Sequence, residues 1–198
     1  TKDRAVTMYM KLAEDKKGQA MVDLLEKAAV LARETGDMKT LGQLEAKFTS
    51  MNIEPQASRL VVEQAEQAFS VQDFTKAFNI SKRIIGKESL PKDLLARARF
   101  VQAQVLEDEY RRQSVKTRVD RVGMVLALKT EKLEKAQKAY QSAIRYGDPA
   151  TSVKAFRRLA DCYIDYAHAV RGMELKGLAA ADAAAIKGEV EQLSVPME

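Results

Sequence analysis

The chain has 198 residues, of which 46% are hydrophobic and 31% are charged, and its net charge at pH 7 is +5. This composition can build a core, but no apolar stretch approaches the roughly 20 residues that a membrane-spanning helix needs. The single cysteine, Cys162, excludes an internal disulfide and a cysteine-based zinc site. The 33 basic residues are mixed with 28 acidic ones, whereas nucleic-acid-binding proteins usually concentrate their basic residues on one face.

The residue types favour helices throughout. Tryptophan is absent, proline occurs four times, and Ala, Leu, Glu, Gln, Lys and Met dominate. These residues lose little side-chain freedom in a helix. No segment alternates apolar and polar residues with a period of two, so we predict an all-α chain without strands.

The first part of the chain repeats every 36 residues. Equivalent places carry similar chemistry, as in Leu24 with Leu60, Ala29 with Ala65, Asp37 with Asp73, Leu44 with Ile80, and Pro55 with Pro91. Each period is typical of two helices. The first helix of the first period ends at Gly36, and the second ends before Pro55. A single helical hairpin cannot bury its apolar face, so stacked hairpins are expected to form the core.

The period is interrupted after Pro91. Between Pro91 and Gly147 the sequence has no proline and only one glycine, Gly123. Apolar spacing predicts two elongated antiparallel helices that break near 113–118, with Ser114 or Thr117 as a cap. The alternative is one helix about 80 Å long.

The C-terminal part is expected to hold one helix from near Ala150 to a cap at Gly172, and an alanine-rich helix from near Leu178. Ser194-Val195-Pro196 is typical of a turn into a further hairpin. We therefore expect about nine helices in three parts: two and a half regular repeats at 1–90, an elongated hairpin at 91–149, and a partial repeat at 150–198. Because the chain begins with Thr1 and ends at such a turn, we expect a piece of a longer array.

The residues with catalytic chemistry are sparse. His168 is the only histidine, and a lone helical histidine is more often packed or exposed than catalytic. Cys162 lies in mid-helix, where nothing would lower its pKa, so we predict a buried structural cysteine. No phosphate-binding glycine loop is present. We predict that the protein is not an enzyme and holds no metal and no cofactor.

Charged residues cluster at 107–121. We interpret the acids at 107–109, followed by Arg111 and Arg112, as ion pairs on a solvated face. A basic stretch overlaps them: Arg111, Arg112, Lys116, Arg118 and Arg121. We interpret this stretch as a solvated face too. Docking of a partner protein, and contact with nucleic acid or anionic lipid, are the alternatives.

Two groups of residues resemble a known repeat family. Phe156, Leu159, Ala160 and Tyr163 match the first-helix signature of the tetratricopeptide repeat, and Ala136, Tyr140, Ala143 and Pro149 match its second-helix signature. The units before residue 91 match less well, because Glu45 and Ser81 stand where the family has an aromatic residue. The chain thus resembles the tetratricopeptide-like superfamily, most specifically at 130–165.

The resemblance implies a right-handed α-solenoid in which the first helix of each hairpin lines a concave groove. The groove places of the family fall on Asp23, Glu26, Val30, Arg33, Arg59, Val62, Glu66, Phe69, Lys154, Arg157, Asp161 and Ile164. Phe69 is either an exposed hot spot for binding or packed between hairpins. The Lys/Asn/Arg set that clamps a chaperone C-terminus is not found.

The function implied is a scaffold that binds a protein or peptide partner rather than a small-molecule substrate. The degenerate repeats resemble bacterial scaffolds of the cell envelope or of motility machinery, in the periplasm or the cytoplasm. A self-associating helical rod built on 91–146 is the main alternative, and a repeat that binds nucleic acid or anionic lipid is a weaker one. The sequence leaves the partner's identity and the oligomeric state open.

Overall fold

The computed structural model describes residues 2–87, 89–173, 175–176, 181–182, 184–186 and 188, and eight α-helices account for most of them. The helices are α1 Lys2–Glu14, α2 Gln19–Thr35, α3 Met38–Ser50, α4 Gln56–Ser70, α5 Phe74–Lys82, α6 Lys92–Arg112, α7 Val122–Arg145 and α8 Pro149–Arg171. The prediction of an all-α chain is confirmed. The chain divides into two units, Thr1–Ala98 and Arg99–Glu198.

The 36-residue period appears in the first unit as equivalent helix boundaries. α2 ends before Gly36, whose φ of 70° lies in the left-handed region that glycine adopts without strain. Asp37 and Asp73, one period apart, cap α3 and α5 by accepting the backbone N–H of Thr40 and Lys76 at 3.0 and 3.1 Å. Hydrogen bonds from the hydroxyl and the N–H of Thr40 stabilise the charged form of Asp37 and hold its pKa below the usual value. Caps of this kind typically contribute about 1 kcal/mol each.

Small residues bring the helices of the first unit together. In α2 and α4 the buried alanines recur at helical spacing: Ala28, Ala29, Ala32, Ala57, Ala65 and Ala68. Larger side chains fill the remaining space, and Leu25, Leu44 and Phe48 are almost fully buried. α2 packs against α1 and α3, and α4 packs against α3 and α5.

The segment after Pro91 forms two helices, so the alternative of one long helix is wrong. α6 ends at Arg112, and α7 begins at Val122 after a loop, two extended residues and a 3₁₀ turn, Val119–Arg121. Neither proposed cap is used. α7 is preceded by Arg121 with no side-chain cap, and the Ser114 hydroxyl instead accepts the backbone N–H of Lys116.

Contacts between aromatic and basic side chains show that Arg99–Arg112 and α7 run antiparallel. Phe100 packs on Tyr140 with ring centroids 5.6 Å apart, and Lys129 lies over the ring of Tyr110. Later positions along α6 thus meet earlier positions along α7. The core of this second unit is completed by α8, from which Ala155 and Cys162 are buried.

The prediction that the chain has no strands is wrong at one place. Thr117–Arg118 pairs in parallel with Leu175–Lys176. Two residues are too few to produce a visible alternation in a sequence.

α8 ends at Arg171, one residue before Gly172, as predicted. Leu178, where a further helix is predicted to begin, and the turn at Ser194–Pro196 lie outside the described residues. Among the helices that are described, none has both the length and the apolar character needed to cross a bilayer.

Candidate functional site

A cleft of about 320 Å³ opens in the first unit between one face of α2 and one face of α4. It is lined by Glu26, Ala29, Val30, Arg33, Phe48, Gln56, Arg59, Leu60, Glu63 and Arg97. The four residues from α2 and the four from α4 each follow the spacing i, i+3, i+4, i+7. This spacing places them on one side of each helix. Phe48 comes from α3 and Arg97 from α6.

Four of the residues that the family resemblance assigned to a groove lie in this cleft: Glu26, Val30, Arg33 and Arg59. Val30 is 45% exposed, although it is apolar. The side chains of Glu26 and Arg59 have no hydrogen bond or ion pair with any other described residue. The cleft therefore offers one apolar side chain and two opposite charges to a ligand.

The other charged side chains of the cleft are paired across helices. An Arg33 Nη atom lies 2.6 Å from Glu63 Oε1. Arg97 holds Glu66 through two hydrogen bonds of 2.9 and 2.7 Å, and the bonded carboxylate raises the pKa of Arg97. Two acceptors stay without a hydrogen bond although they are buried, namely Glu63 Oε2 and Gln56 Oε1.

The groove prediction is wrong for one residue, Val62. Val62 is 0% exposed, so it belongs to the core and cannot contact a ligand. It lies one turn before Glu66 on α4, and Glu66 is held by Arg97 of α6. The place that lines the cleft at Glu26 in the first period is therefore buried at Val62 in the second.

Three more predicted residues lie outside the cleft. Glu66 is engaged by Arg97, as described, and does not line the cleft. Phe69 is half-buried and packs on Phe74 with ring centroids 5.4 Å apart, which favours its packing role over a binding hot spot. Asp23 is exposed and accepts a hydrogen bond of 2.7 Å from Gln19.

The predicted groove residues of the second unit are exposed on α8. Lys154, Arg157 and Asp161 are exposed, and Ile164 is 57% exposed. The same helix also exposes two large apolar residues, Val153 and Phe156. Phe156 belongs to the tetratricopeptide signature, whose aromatic residue is expected to be packed, and here it is 59% exposed.

A polar network in the second unit was missed, because Glu107 was assigned to a solvated face. The ion pairs Arg111–Glu107 and Arg112–Asp108 are present, each at 2.8 Å. However, Glu107 is only 3% exposed, and it also accepts a hydrogen bond from the Tyr140 hydroxyl. A signal was present in the sequence, because Glu107 shares one face of the helix with Ala103, four residues before it, and Tyr110, three residues after it.

Two further side chains complete this network at the end of α6. Lys129 is 3% exposed and donates hydrogen bonds of 3.2 Å to the carbonyl oxygens of Tyr110 and Gln113. The Tyr110 hydroxyl donates to an Asp165 carboxylate oxygen at 3.0 Å. Burial raises the pKa of both Tyr110 and Tyr140, so these phenols stay protonated. These groups are already engaged with one another, which favours a structural role over a catalytic one.

The two residues that sequence analysis singled out for possible chemistry have opposite surroundings. Cys162 is fully buried, and burial raises its pKa to about 12, so its thiol is protonated at neutral pH. His168 is exposed on α8. Within the described ranges no three His, Cys, Asp or Glu side chains are grouped as metal ligands would be.

Comparison with known proteins finds no relative. No family model matches the chain, and no curated protein and no solved structure is significantly similar to it. The resemblance to the tetratricopeptide repeat therefore rests on the residues named above, and the cleft is interpreted from its own chemistry.

Proposed function

We propose that this chain is a protein–protein interaction scaffold of the tetratricopeptide-like kind, which binds an extended peptide or a helix of a partner in the cleft between α2 and α4. One observation carries the proposal. The first helices of two successive 36-residue units contribute same-face residues to one cleft. Binding by the first helices of stacked hairpins is what the right-handed solenoid of that superfamily implies.

The composition of the cleft supports a polypeptide ligand. Val30 supplies exposed apolar surface, whereas Glu26 and Arg59 supply unengaged charges of both signs. A peptide offers apolar side chains, N–H donors and carbonyl acceptors within a few ångströms, so it can match such a mixture by several modest contacts. A place in a bacterial cell-envelope or motility assembly follows from the resemblance alone.

Reversing both unengaged charges should weaken partner binding. The double variant Glu26→Lys/Arg59→Glu keeps the net charge but exchanges the signs on the two walls of the cleft. Like charges then face each other across the interface, and we expect at least about a tenfold loss of affinity. A partner is captured with the wild-type chain, identified by mass spectrometry and purified, and its Kd is measured by calorimetry.

The matched control is Glu131→Lys/Lys135→Glu, which exchanges an exposed pair on α7 with nitrogen and oxygen 2.7 Å apart. It should leave the Kd unchanged. Equal affinities for wild type and the cleft variant would refute the cleft as the binding site.

Self-association is the second candidate function. The exposed apolar side chains of α8 favour this helix, rather than the segment 91–146, as the surface through which two copies would associate. Val153, Phe156 and Ile164 lie along one face, with Lys154 and Asp161 beside them. In an antiparallel pair of α8 helices, Lys154 of each copy would lie opposite Asp161 of the other, as a two-fold interface requires.

Light scattering measures this self-association directly. If the wild-type chain is a dimer, Phe156→Ser should convert it to a monomer, and Met8→Ser on α1 should not. That pair of results would support the second candidate. Met8 is a suitable control because it is similarly exposed, at 56% against 59%. A wild-type chain that stays monomeric at millimolar concentration would eliminate the candidate.

A further inference from the structure

We propose that the turn between α6 and α7 docks on an anionic lipid surface. Met124 and Leu128 enter the layer of lipid chains, and Arg118 and Arg121 contact the headgroups. We call these four residues the apex patch, because they lie where the two helices are joined. The inference goes beyond the proposed function, since it concerns another surface, in the second unit, and another kind of partner.

The exposed face of α7 changes its chemistry along the helix. From Glu131 onward it carries two ion pairs at four-residue spacing, with nitrogen and oxygen 2.7 and 3.6 Å apart. Such pairs suit a face that lies in water. In the first two turns of the helix the exposed residues are instead uncharged, namely Gly123, Met124, Ala127 and Leu128. Met124 is 66% exposed and Leu128 41%, so this part of the face leaves apolar surface uncovered.

A second Met–Leu pair of the chain lies in different surroundings. Met8 and Leu12 on α1 have the same spacing and a similar exposure, 56% and 47%. Each directly follows an exposed polar residue, Thr7 or Lys11. The matching places on α7 hold a glycine and an alanine, so its apolar surface is continuous. Scattered apolar side chains are normal at a protein surface, whereas contiguous ones mark interaction sites.

The charges around this apolar surface are mostly positive. The segment 113–128 contains three basic residues and one acidic residue, which gives it a net charge of +2. Arg118 lies 3.4 Å from Asp120, but both side chains are more than 60% exposed, and such a pair opens easily. Arg121 makes no ion pair with a described residue. It precedes Met124 by three residues and Leu128 by seven, which places all three on one face.

An anionic membrane matches this arrangement better than a protein does. Basic residues beside exposed apolar ones are typical of surfaces that lie in a membrane interface, where the charges meet headgroups and the apolar groups enter beneath them. A fluid bilayer accepts protruding side chains without a preformed shape. A stable protein interface takes about 800 Å² from each partner. Two partly exposed apolar side chains supply only a small part of that area.

Because the chain contains no tryptophan, one substitution provides a specific probe. Met124→Trp introduces a single indole into the apex patch. Its emission should shift to the blue when the full chain is mixed with vesicles of phosphatidylcholine that contain about one-third phosphatidylglycerol. Met8→Trp is the matched control and should keep its emission in water. Vesicles of phosphatidylcholine alone should shift neither variant, because they offer the arginines no excess of negative charge.

Serine variants of the chain measure the apolar contribution in sedimentation with the same anionic vesicles. Met124→Ser/Leu128→Ser should weaken binding at least about tenfold, because two apolar side chains no longer transfer from water into hydrocarbon. Met8→Ser/Leu12→Ser makes the same replacements at the same spacing on α1, and it should change binding by less than about twofold. All four residues are exposed, so the variants should fold, and circular dichroism checks this.

The electrostatic contribution is measured with Arg118→Gln/Arg121→Gln. Each basic residue near an anionic surface contributes roughly a factor of five, so this variant should bind about 25-fold more weakly. Wild-type chain that does not sediment with anionic vesicles would overturn the inference. So would equal binding of the wild type and Met124→Ser/Leu128→Ser, since the chain would then adsorb by charge alone. If the vesicles fail but a purified protein loses affinity for that serine variant, the apex patch binds a protein instead.

Discussion

Replacing Glu107 by alanine is expected to lower the free energy of unfolding by about 3 kcal/mol, because it removes one member of a buried polar network. The carboxylate accepts hydrogen bonds from the Arg111 guanidinium at 2.8 Å and from the Tyr140 hydroxyl, and Arg158 lies 3.4 Å away. Without it, the fully buried Tyr140 hydroxyl has lost its acceptor, and an unmet buried hydroxyl costs about 1–3 kcal/mol by itself. Urea unfolding followed by circular dichroism measures the change.

The neighbouring residue provides the control. Asp108 pairs with Arg112 across the same four-residue spacing, also at 2.8 Å, but this pair is much more exposed. Water replaces such a partner easily, and exposed pairs contribute about 0.2–1 kcal/mol. We therefore expect Asp108→Ala to cost less than about 1 kcal/mol. Similar losses for the two variants would show that Glu107 lies on the solvated face that the charge pattern suggested.

Sequence reasoning succeeded where a structure depends on nearby residues. The end of α2 follows from Gly36, which tolerates a left-handed backbone, and the start of α3 follows from Asp37, whose side chain accepts the N–H three residues on. Asp73 does the same one period later. These are local interactions, so the 36-residue self-comparison was enough to locate them. The break between α6 and α7 was found for the same reason, from its polar residues.

Sequence reasoning failed where a structure depends on residues far apart in the chain. The pair of Arg97 with Glu66 joins residues 31 positions apart, and no local pattern indicates it. Glu107 was assigned to a solvated face because it belongs to an acidic run that is followed by arginines. The partners that make its burial possible, Tyr140 and Arg158, are 33 and 51 positions away.

The register explains why the candidate groove is only partly correct. Glu26 and Val62 are equivalent positions of the 36-residue repeat, so the register assigned both of them to the groove. The structure does not, since Glu26 lines the cleft and Val62 is fully buried. A repeat defines which way a side chain faces on its own helix. What covers that face depends on the helices that pack around it, and for α4 these include α3 and α5.

Replacing Val62 by aspartate is expected to unfold the first unit, with a loss of at least about 4 kcal/mol, because it would bury a charge that has no partner. Val30→Asp is the matched variant. It introduces the same residue on α2 at a side chain that is 45% exposed, so it should cost less than about 1 kcal/mol. Val30→Asp should still weaken the binding of a cleft partner, since it replaces apolar surface by charge. Circular dichroism during thermal unfolding separates the two variants. Should both unfold at the wild-type temperature, Val62 would face a groove as the register implies, and its assignment to the core would be wrong.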